Sequence, residues 1–183
     1  MLANKILNNN FISSTDKDGH EIVIMGKGLG WQMKPGDPVD PEKIEKIFRM
    51  DTVTSSEKMK KLFLEVEMSS VEISSKIIQF AQETTQVELN KNIILTLTDH
   101  IDFAIERYNK GIPLKNDFKL WIQKMFNEEF SVGLYALEII QETLGIQMPE
   151  DEAAHIAMHI INAQLDGNMA HTDEITNLLS MCF

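Results

Sequence analysis

His100, His155 and His159 are the residues whose type and spacing carry the most chemistry. His155 and His159 are four residues apart, so on a helix they share one face. They flank an apolar stripe of Ile156, Ile160 and Ala163. His100 falls on the edge of a second stripe, made by Ile93, Leu97, Ile101 and Ala104. Arg107, seven residues later, returns to nearly the same azimuth. Three chemistries fit such histidines. They can pack at a helix interface, ligate a metal, or accept a phosphoryl group. The His155–His159 spacing suits two zinc ligands, but the glutamate of the His-Glu-x-x-His pattern is missing and no third ligand is evident. No metal is assigned. A phosphate on an edge histidine would add close to two negative charges at a packing surface, enough to remake an interface. His20 lies beside a turn and is expected in solvent.

A second constellation lies near the start. Gly26-Lys27-Gly28-Leu29-Gly30-Trp31 is neither a dinucleotide fingerprint nor a phosphate-binding loop of Walker type. Glycines do let a backbone approach a partner closely. Lys27 seeks phosphate, and Trp31 can stack on a base. Asn8 and Asn10 carry amides that read base edges. The competing reading makes the glycines turn formers and Trp31 core. No serine elbow, kinase set or cysteine nucleophile is present, and no enzyme activity is expected.

The elements that must position these groups divide into two kinds. Up to about residue 55 the chain reads as short strands. Phe11–Ser14 and Glu21–Met25 flank an Asp16–Gly19 turn and form a hairpin. A fourth strand is expected after Trp31, ending at Pro35-Gly36, while beyond it the Pro after Asp40 can start a short helix and Lys46–Phe48 can equally be a strand. The Asp16, Asp18 and Gly19 cluster lacks the further ligands of a calcium loop. From Ser55 onward the spacing is helical. Val71, Ile73, Ile77, Ile78 and Ala81 line one face. The helix bearing His100 should stop at Lys110-Gly111. Further helices are expected over 116–127, 130–144, 149–165 and 172–182. The fold class is α+β, a small four-stranded antiparallel head before an all-α helical bundle.

The net charge of −11 argues at first against nucleic acid. Residues 1–55 hold seven Lys and Arg against eight Asp and Glu, so the acidity lies almost wholly beyond them. An RNA surface on the head is permitted. Cys182 alone can form no internal disulfide. No apolar run is long enough to span a bilayer and no signal peptide opens the chain, so a cytoplasmic protein without membrane insertion is expected.

Five segments match one family in order and spacing. Lys-Ile-Leu-Asn-Asn-Asn at 5–10, Val-Ile-Met-Gly-Lys-Gly-Leu-Gly at 23–30 and Ile-Glu-Lys-Ile-Phe at 44–48 resemble the RNA-binding head of the BglG/SacY/LicT-type transcriptional antiterminators. Leu-Thr-Asp-His-Ile-Asp-Phe-Ala-Ile-Glu-Arg at 97–107 resembles the first histidine motif of that family's PTS regulation domain. Pro-Glu-Asp-Glu-Ala-Ala-His-Ile-Ala-Met-His-Ile at 149–160 resembles the second.

The resemblance implies a homodimer that holds a stem-loop in nascent mRNA and so blocks the overlapping terminator. It implies control by sugar-phosphotransferase proteins, the sugar permease and the phosphocarrier protein, and it leans toward a β-glucoside operon. Carried over by position, Lys5, Asn8, Asn10, Gly26, Lys27 and Trp31 become RNA contacts. His100 and His159 become phosphoacceptors, with His155 the lesser of its pair. The implied layout is an RNA-binding domain over 1–55, a linker and first helix over 56–65, a regulation domain over 66–172, and a terminal helix or linker start over 173–183. A second regulation domain is expected to be missing, with only the first domain's control remaining. No cofactor is implied. Many relatives carry Arg at position 27 and Phe at position 31. Lys27 keeps charge but loses the bidentate fork, and Trp31 keeps stacking. The residues alone also allow a phosphohistidine scaffold that binds only proteins, or a small metalloenzyme at His155 and His159.

Overall fold

The computed structural model describes residues 1–50, 52–112 and 114–165. They fall into two compact units, Met1–Met68 and the residues from Ser69 onward. The terminal helix expected over 172–182 lies outside the described residues.

In the first unit four strands form one antiparallel sheet in chain order: β1 (Ala3–Ile6), β2 (Phe11–Thr15), β3 (Glu21–Met25) and β4 (Lys46–Arg49). The β2–β3 hairpin forms where expected. Asp16 closes its turn by accepting the N–H groups of Asp18 and His20, and Gly19 takes a positive φ of 85°. Register pairs Ile12 with Ile24 and Ser13 with Val23. Alternation then sorts side chains onto two faces. One face gathers Ala3, Ile12, Ile22 and Ile24 under Leu29 and Val39. The other carries Phe11 and Phe48, which meet Phe63 at ring-centroid distances of 4.8 and 5.2 Å. Burial on both faces explains why Ile22-Val23-Ile24-Met25 shows no polar alternation.

Phe63 belongs to α1 (Val53–Glu65), which opens on Thr52 accepting the Ser55 N–H. Met59 and Phe63 of this helix are fully buried, and Lys60 binds Glu21 of β3 at 2.9 Å. The first unit therefore runs past residue 55 and includes the stretch expected to be a linker, because the second sheet face needs a helix to cover it.

The expected strand over 31–35 is a correction. Residues 27–32 form turns, with Gly28, Gln32 and Gly36 all at positive φ, which a strand cannot hold. The fourth strand is β4, preceded by a 3-10 turn at Pro41–Lys43 that Asp40 caps. Both readings left open for that region are realised, one after the other.

The second unit comprises α2 (Met68–Thr85), α3 (Ile93–Asn109), α4 (Lys119–Met125), α5 (Asn127–Leu144) and α6 (Asp151–Leu165). Ile73, Ile77, Leu97, Ile101, Ile140, Ile156 and Ile160 meet in one core. Of the predicted stripes, Ile73, Ile77 and Ala81 of α2 and Ile93, Leu97, Ile101 and Ala104 of α3 line it, with Ile78 and Ile105 at its margin, while Val71 is buried outside it. Gly111 follows α3 with φ of 67°. Gly133 lets α5 lie against the start of α6, since a Cβ there would stand 2.1 Å from the Ala153 carbonyl oxygen. No helix among the described residues is long and apolar enough to cross a membrane.

Candidate functional site

Two sites emerge, one in each unit. In the first, the β1–β2 loop is zipped to the glycine segment by backbone. Gly26 N–H donates to the Asn10 carbonyl and Gly30 N–H to the Asn9 carbonyl, each at 2.9 Å. Side chains finish the join. Asn10 Oδ1 accepts the Gly28 N–H at 2.9 Å. Asn8 Oδ1 accepts the N–H groups of Asn10 and Phe11, while its amide donates to the Phe63 carbonyl of α1 at 2.8 Å. Glycine is required at two crossings. A Cβ on Gly26 would lie 1.8 Å from the Lys43 carbonyl oxygen, and one on Gly30 would lie 2.2 Å from that of Asn8.

The structure thus brings Asn8, Asn10, Gly26, Lys27 and Trp31 into one loop cluster. Gly26 is buried, Asn8 and Asn10 are half-buried, and Lys27 is exposed. Trp31 is 61% exposed and sits on a turn rather than a strand. Lys5 is exposed on β1, just ahead of the loop. The cluster contains two kinds of residue. Asn8 and Gly26 build the loop. Lys27 and Trp31 are its exposed members, a cation and an aromatic of the kinds suited to phosphate and base stacking.

The second site lies between α3 and α6. His100 of α3 faces both histidines of α6, with ring centroids 4.7 Å from His159 and 6.1 Å from His155. Glu152, in the first turn of α6, sits beneath them and is almost wholly buried. Its Oε1 is 2.9 Å from His100 Nε2, and its Oε2 accepts from an Arg107 terminal nitrogen at 2.8 Å. The azimuth shared by His100 and Arg107 is thus the reach of one carboxylate. Burial opposes ionisation of Glu152, but His100 and Arg107 outweigh it and hold the carboxyl below its usual range. Burial, helped by the neighbouring histidines, pushes His159 down to about 4. His155 is also lowered, mainly by burial, against the pull of Glu152. The His155 and His159 rings are therefore neutral at pH 7, and a neutral imidazole has a lone pair to offer a phosphorus.

Asn116 orients His155. Its Oδ1 accepts the Phe118 N–H, which fixes the amide. Its Nδ2 therefore faces His155 Nδ1 at 3.3 Å and donates to it, leaving the ring proton on Nε2. Asp151 holds Asn116 in turn by accepting its N–H. Among the described residues, the grouping whose candidate metal-ligand atoms lie within 4.8 Å of one another is Asp16, Asp18 and His20, not the α6 pair. Arg49 already occupies Asp16 there, at 3.2 Å.

Glu152, Asn116 and Asp151 were not legible as site residues. Glu150, Asp151 and Glu152 are three consecutive acids at a helix start, where each suits the helix dipole and none stands out. The available signal was spacing, since Glu152 precedes His155 and His159 by three and seven residues on one face.

Comparison with known proteins covers both units. The profile of the CAT RNA binding domain matches residues 1–61, and that of the PRD domain matches residues 75–163. The chain is 41% identical over 175 residues to the transcription antiterminator LicT of Bacillus subtilis (strain 168), covering 96% of this chain and 63% of that protein. It is 38% identical to a beta-glucoside operon antiterminator of Dickeya chrysanthemi, covering 96% and 62%. It therefore spans less than two thirds of the length of these relatives. A crystal structure of GlcT CAT-PRDI aligns with a TM-score of 0.75 at 34% identity, over 89% of this chain and 97% of that one.

Proposed function

This chain belongs to the transcription antiterminator family, and on that premise we propose that it binds an RNA stem-loop through its first unit and is controlled by phosphorylation of histidines in its second. The observation that carries the reading is a double coincidence. The loop cluster falls inside the CAT RNA binding domain match, and the histidine trio falls inside the PRD match.

The loop cluster supplies RNA contacts in two tiers. Lys5 and Lys27 meet phosphate, and Trp31 stacks on an unpaired base. Asn10 spends its oxygen on Gly28, so its amide N–H groups are what it offers a base edge. Asn8 and Gly26 act mainly by holding the loop shape. The working form is a homodimer in which two heads present equivalent faces to one hairpin. Occupying that hairpin prevents the overlapping terminator from forming. The name of the Dickeya relative supports a β-glucoside operon.

His100 and His159 are the phosphoacceptors and sugar-phosphotransferase proteins the donors, the permease and the phosphocarrier protein among them. A phosphoryl group on either ring lands against the other ring, and on His100 also against Glu152, where burial weakens solvent screening of its charge. The α3–α6 packing must respond, and that response is the switch. Titration of a bulged RNA stem-loop against wild type and Lys27→Ala tests the head. The expected result is salt-sensitive binding that weakens in the variant. Equal affinity for both, or no salt dependence, would remove the RNA assignment.

A further inference from the structure

Glu152 enters that reading only as a neighbour of the phosphate, yet it is the most buried charge of the histidine site, its side chain 3% exposed. It touches His100 with one oxygen and Arg107 with the other. We propose that Glu152 is the positioning residue that holds His100 unreactive in the unmodified protein, and that phosphorylation of His100 at Nε2 evicts it and transfers Arg107 to the phosphate. The proposal rests on the phosphohistidine reading above.

Four observations carry it. First, a carboxylate 2.9 Å from Nε2 favours the tautomer with its proton on that nitrogen, which leaves Nε2 without a lone pair. Second, a phosphorus bonded to Nε2 would bring its oxygens into the space that Oε1 fills. Carboxylate and phosphoryl dianion cannot share a buried position, so one must leave. Third, the contact is close but loosely made. Neither His100 Nε2 nor Glu152 Oε1 completes an aligned hydrogen bond, and a cavity of about 320 Å³ lined by Glu152, Arg107, Ala104 and Met148 gives the carboxylate room to move. Fourth, Arg107 is prepared for a new partner. Its side chain is 10% exposed and its Nε–H donates to nothing among the described residues. A guanidinium with a spare buried donor matches a phosphate better than the single bond it now makes to Glu152.

The step balances. As Glu152 withdraws, the ring proton moves through water from Nε2 to Nδ1. The Nε2 lone pair attacks the donor phosphorus. The donor's P–N bond breaks and its electron pair stays on the donor nitrogen. The donor nitrogen leaves protonated, and the His100 ring, cationic once Nε2 bears phosphorus, releases its Nδ1 proton to solvent. Glu152 lies at the start of α6, between Asp151, which holds Asn116, and Ala153, which packs on Gly133. Its eviction therefore disturbs the turn that ties the α4 approach and α5 to the site.

The test uses the full chain with phosphoramidate as donor, whose leaving group is ammonia. Ring nitrogen NMR of the unmodified protein is expected to show His100 protonated at Nε2. After phosphorylation, the Arg107 Nε–H signal is expected to move and to gain protection from exchange. In Glu152→Gln, His100 is expected to be phosphorylated roughly tenfold faster, because the anionic shield is gone and Arg107 is freed. A carboxylate with a merely structural role predicts an unchanged or slower rate. Wild-type Arg107 signals need no variant, so a misfolded Glu152→Gln does not rescue the idea. An Nδ1–H tautomer, or Arg107 signals unmoved in the phosphorylated protein, overturns it while leaving phosphohistidine control standing. Absence of any phosphohistidine, with phosphoramidate and with a phosphorylated carrier protein alike, overturns both.

Discussion

The two sites are built on opposite plans. In the head, backbone makes the scaffold and the side chains with reach are left over. Gly26, Gly30 and the carbonyls of Asn9 and Asn10 fix the loops, while Lys27 and Trp31 stand in solvent. In the body the functional side chains are spent on one another. His100, Glu152, Arg107, His155 and Asn116 form one contiguous set inside the fold. A face built the first way is ready for a ligand and changes little on binding it. A site built the second way cannot be modified without breaking a contact it already has. The first plan suits recognition and the second suits a switch.

The comparison predicts where each unit is fragile. In the body the weak point is charge. Glu152→Ala leaves Arg107 buried without its anion and should cost about 3–5 kcal/mol in denaturant unfolding of the body. Adding Arg107→Met to that variant should restore most of the loss, since an apolar pair avoids the desolvation cost. A double mutant no more stable than the single would show that the pair is not an isolated charge couple. In the head the weak point is backbone. Gly26→Ala must push the Lys43 carbonyl aside and should cost about 3 kcal/mol. Gly28→Ala, at a φ of 66° but with nothing within 4 Å of its Cβ, should cost only about 1 kcal/mol. Equal costs would mean that strain, not collision, governs this loop.

Acid should separate the units too. Above pH 6.5 the His159 ring is neutral whether the chain is folded or unfolded. Between 6.5 and about 4 the unfolded ring takes a proton that the folded one refuses. Body stability should therefore fall as pH falls through that window, by up to about 3 kcal/mol. His155 acts in the same direction. In the head, Asp16 is held below the usual carboxylate range, first by the His20 N–H. The stability it contributes is present above the usual carboxylate pKa and is lost only at lower pH. Unfolding midpoints of the two units should diverge as pH drops from 7 to 5, and His159→Gln should shrink the divergence.

What was legible in the sequence follows the same division. Helical stripes are local, so α2 and α3 were placed by their apolar spacing, and the common side of His100 and Arg107 was visible. The partner of that pair was not, because Glu152 is one of three consecutive acids and only tertiary packing distinguishes it. The hairpin was legible from Asp16 to Gly19. The strand over Lys46–Phe48 was legible only as one of two readings, and the strand expected after Trp31 does not form, since Gly28, Gln32 and Gly36 turn the chain there. Asn8 read as a base-contacting amide because sequence shows side-chain chemistry but not which backbone groups claim it first. The reach of the head past residue 55 depended on Phe63 finding Phe11 and Phe48, a contact about 50 residues distant from Phe11 in the chain.

The smallest stability effects should come from the residues proposed to touch RNA directly, and they sharpen the comparison most. Trp31 is exposed, and among the described residues Lys27 is tethered by its backbone N–H, which donates to Glu45. Removing either side chain should leave the unfolding free energy within about 0.5 kcal/mol of wild type. RNA binding should still respond. Trp31→Ala should lose roughly 1–3 kcal/mol of affinity, the worth of one stacked base, with little change in salt dependence. Lys27→Ala should lose about 1 kcal/mol and reduce the salt slope by close to one counterion. A double mutant measures whether the two losses add, as they should where one residue acts on a base and the other on a separate phosphate. A stability loss with Trp31→Ala would return the tryptophan to the core reading. A Lys27→Ala protein with an unchanged salt slope would move the phosphate contact elsewhere on the head, to Lys5 first.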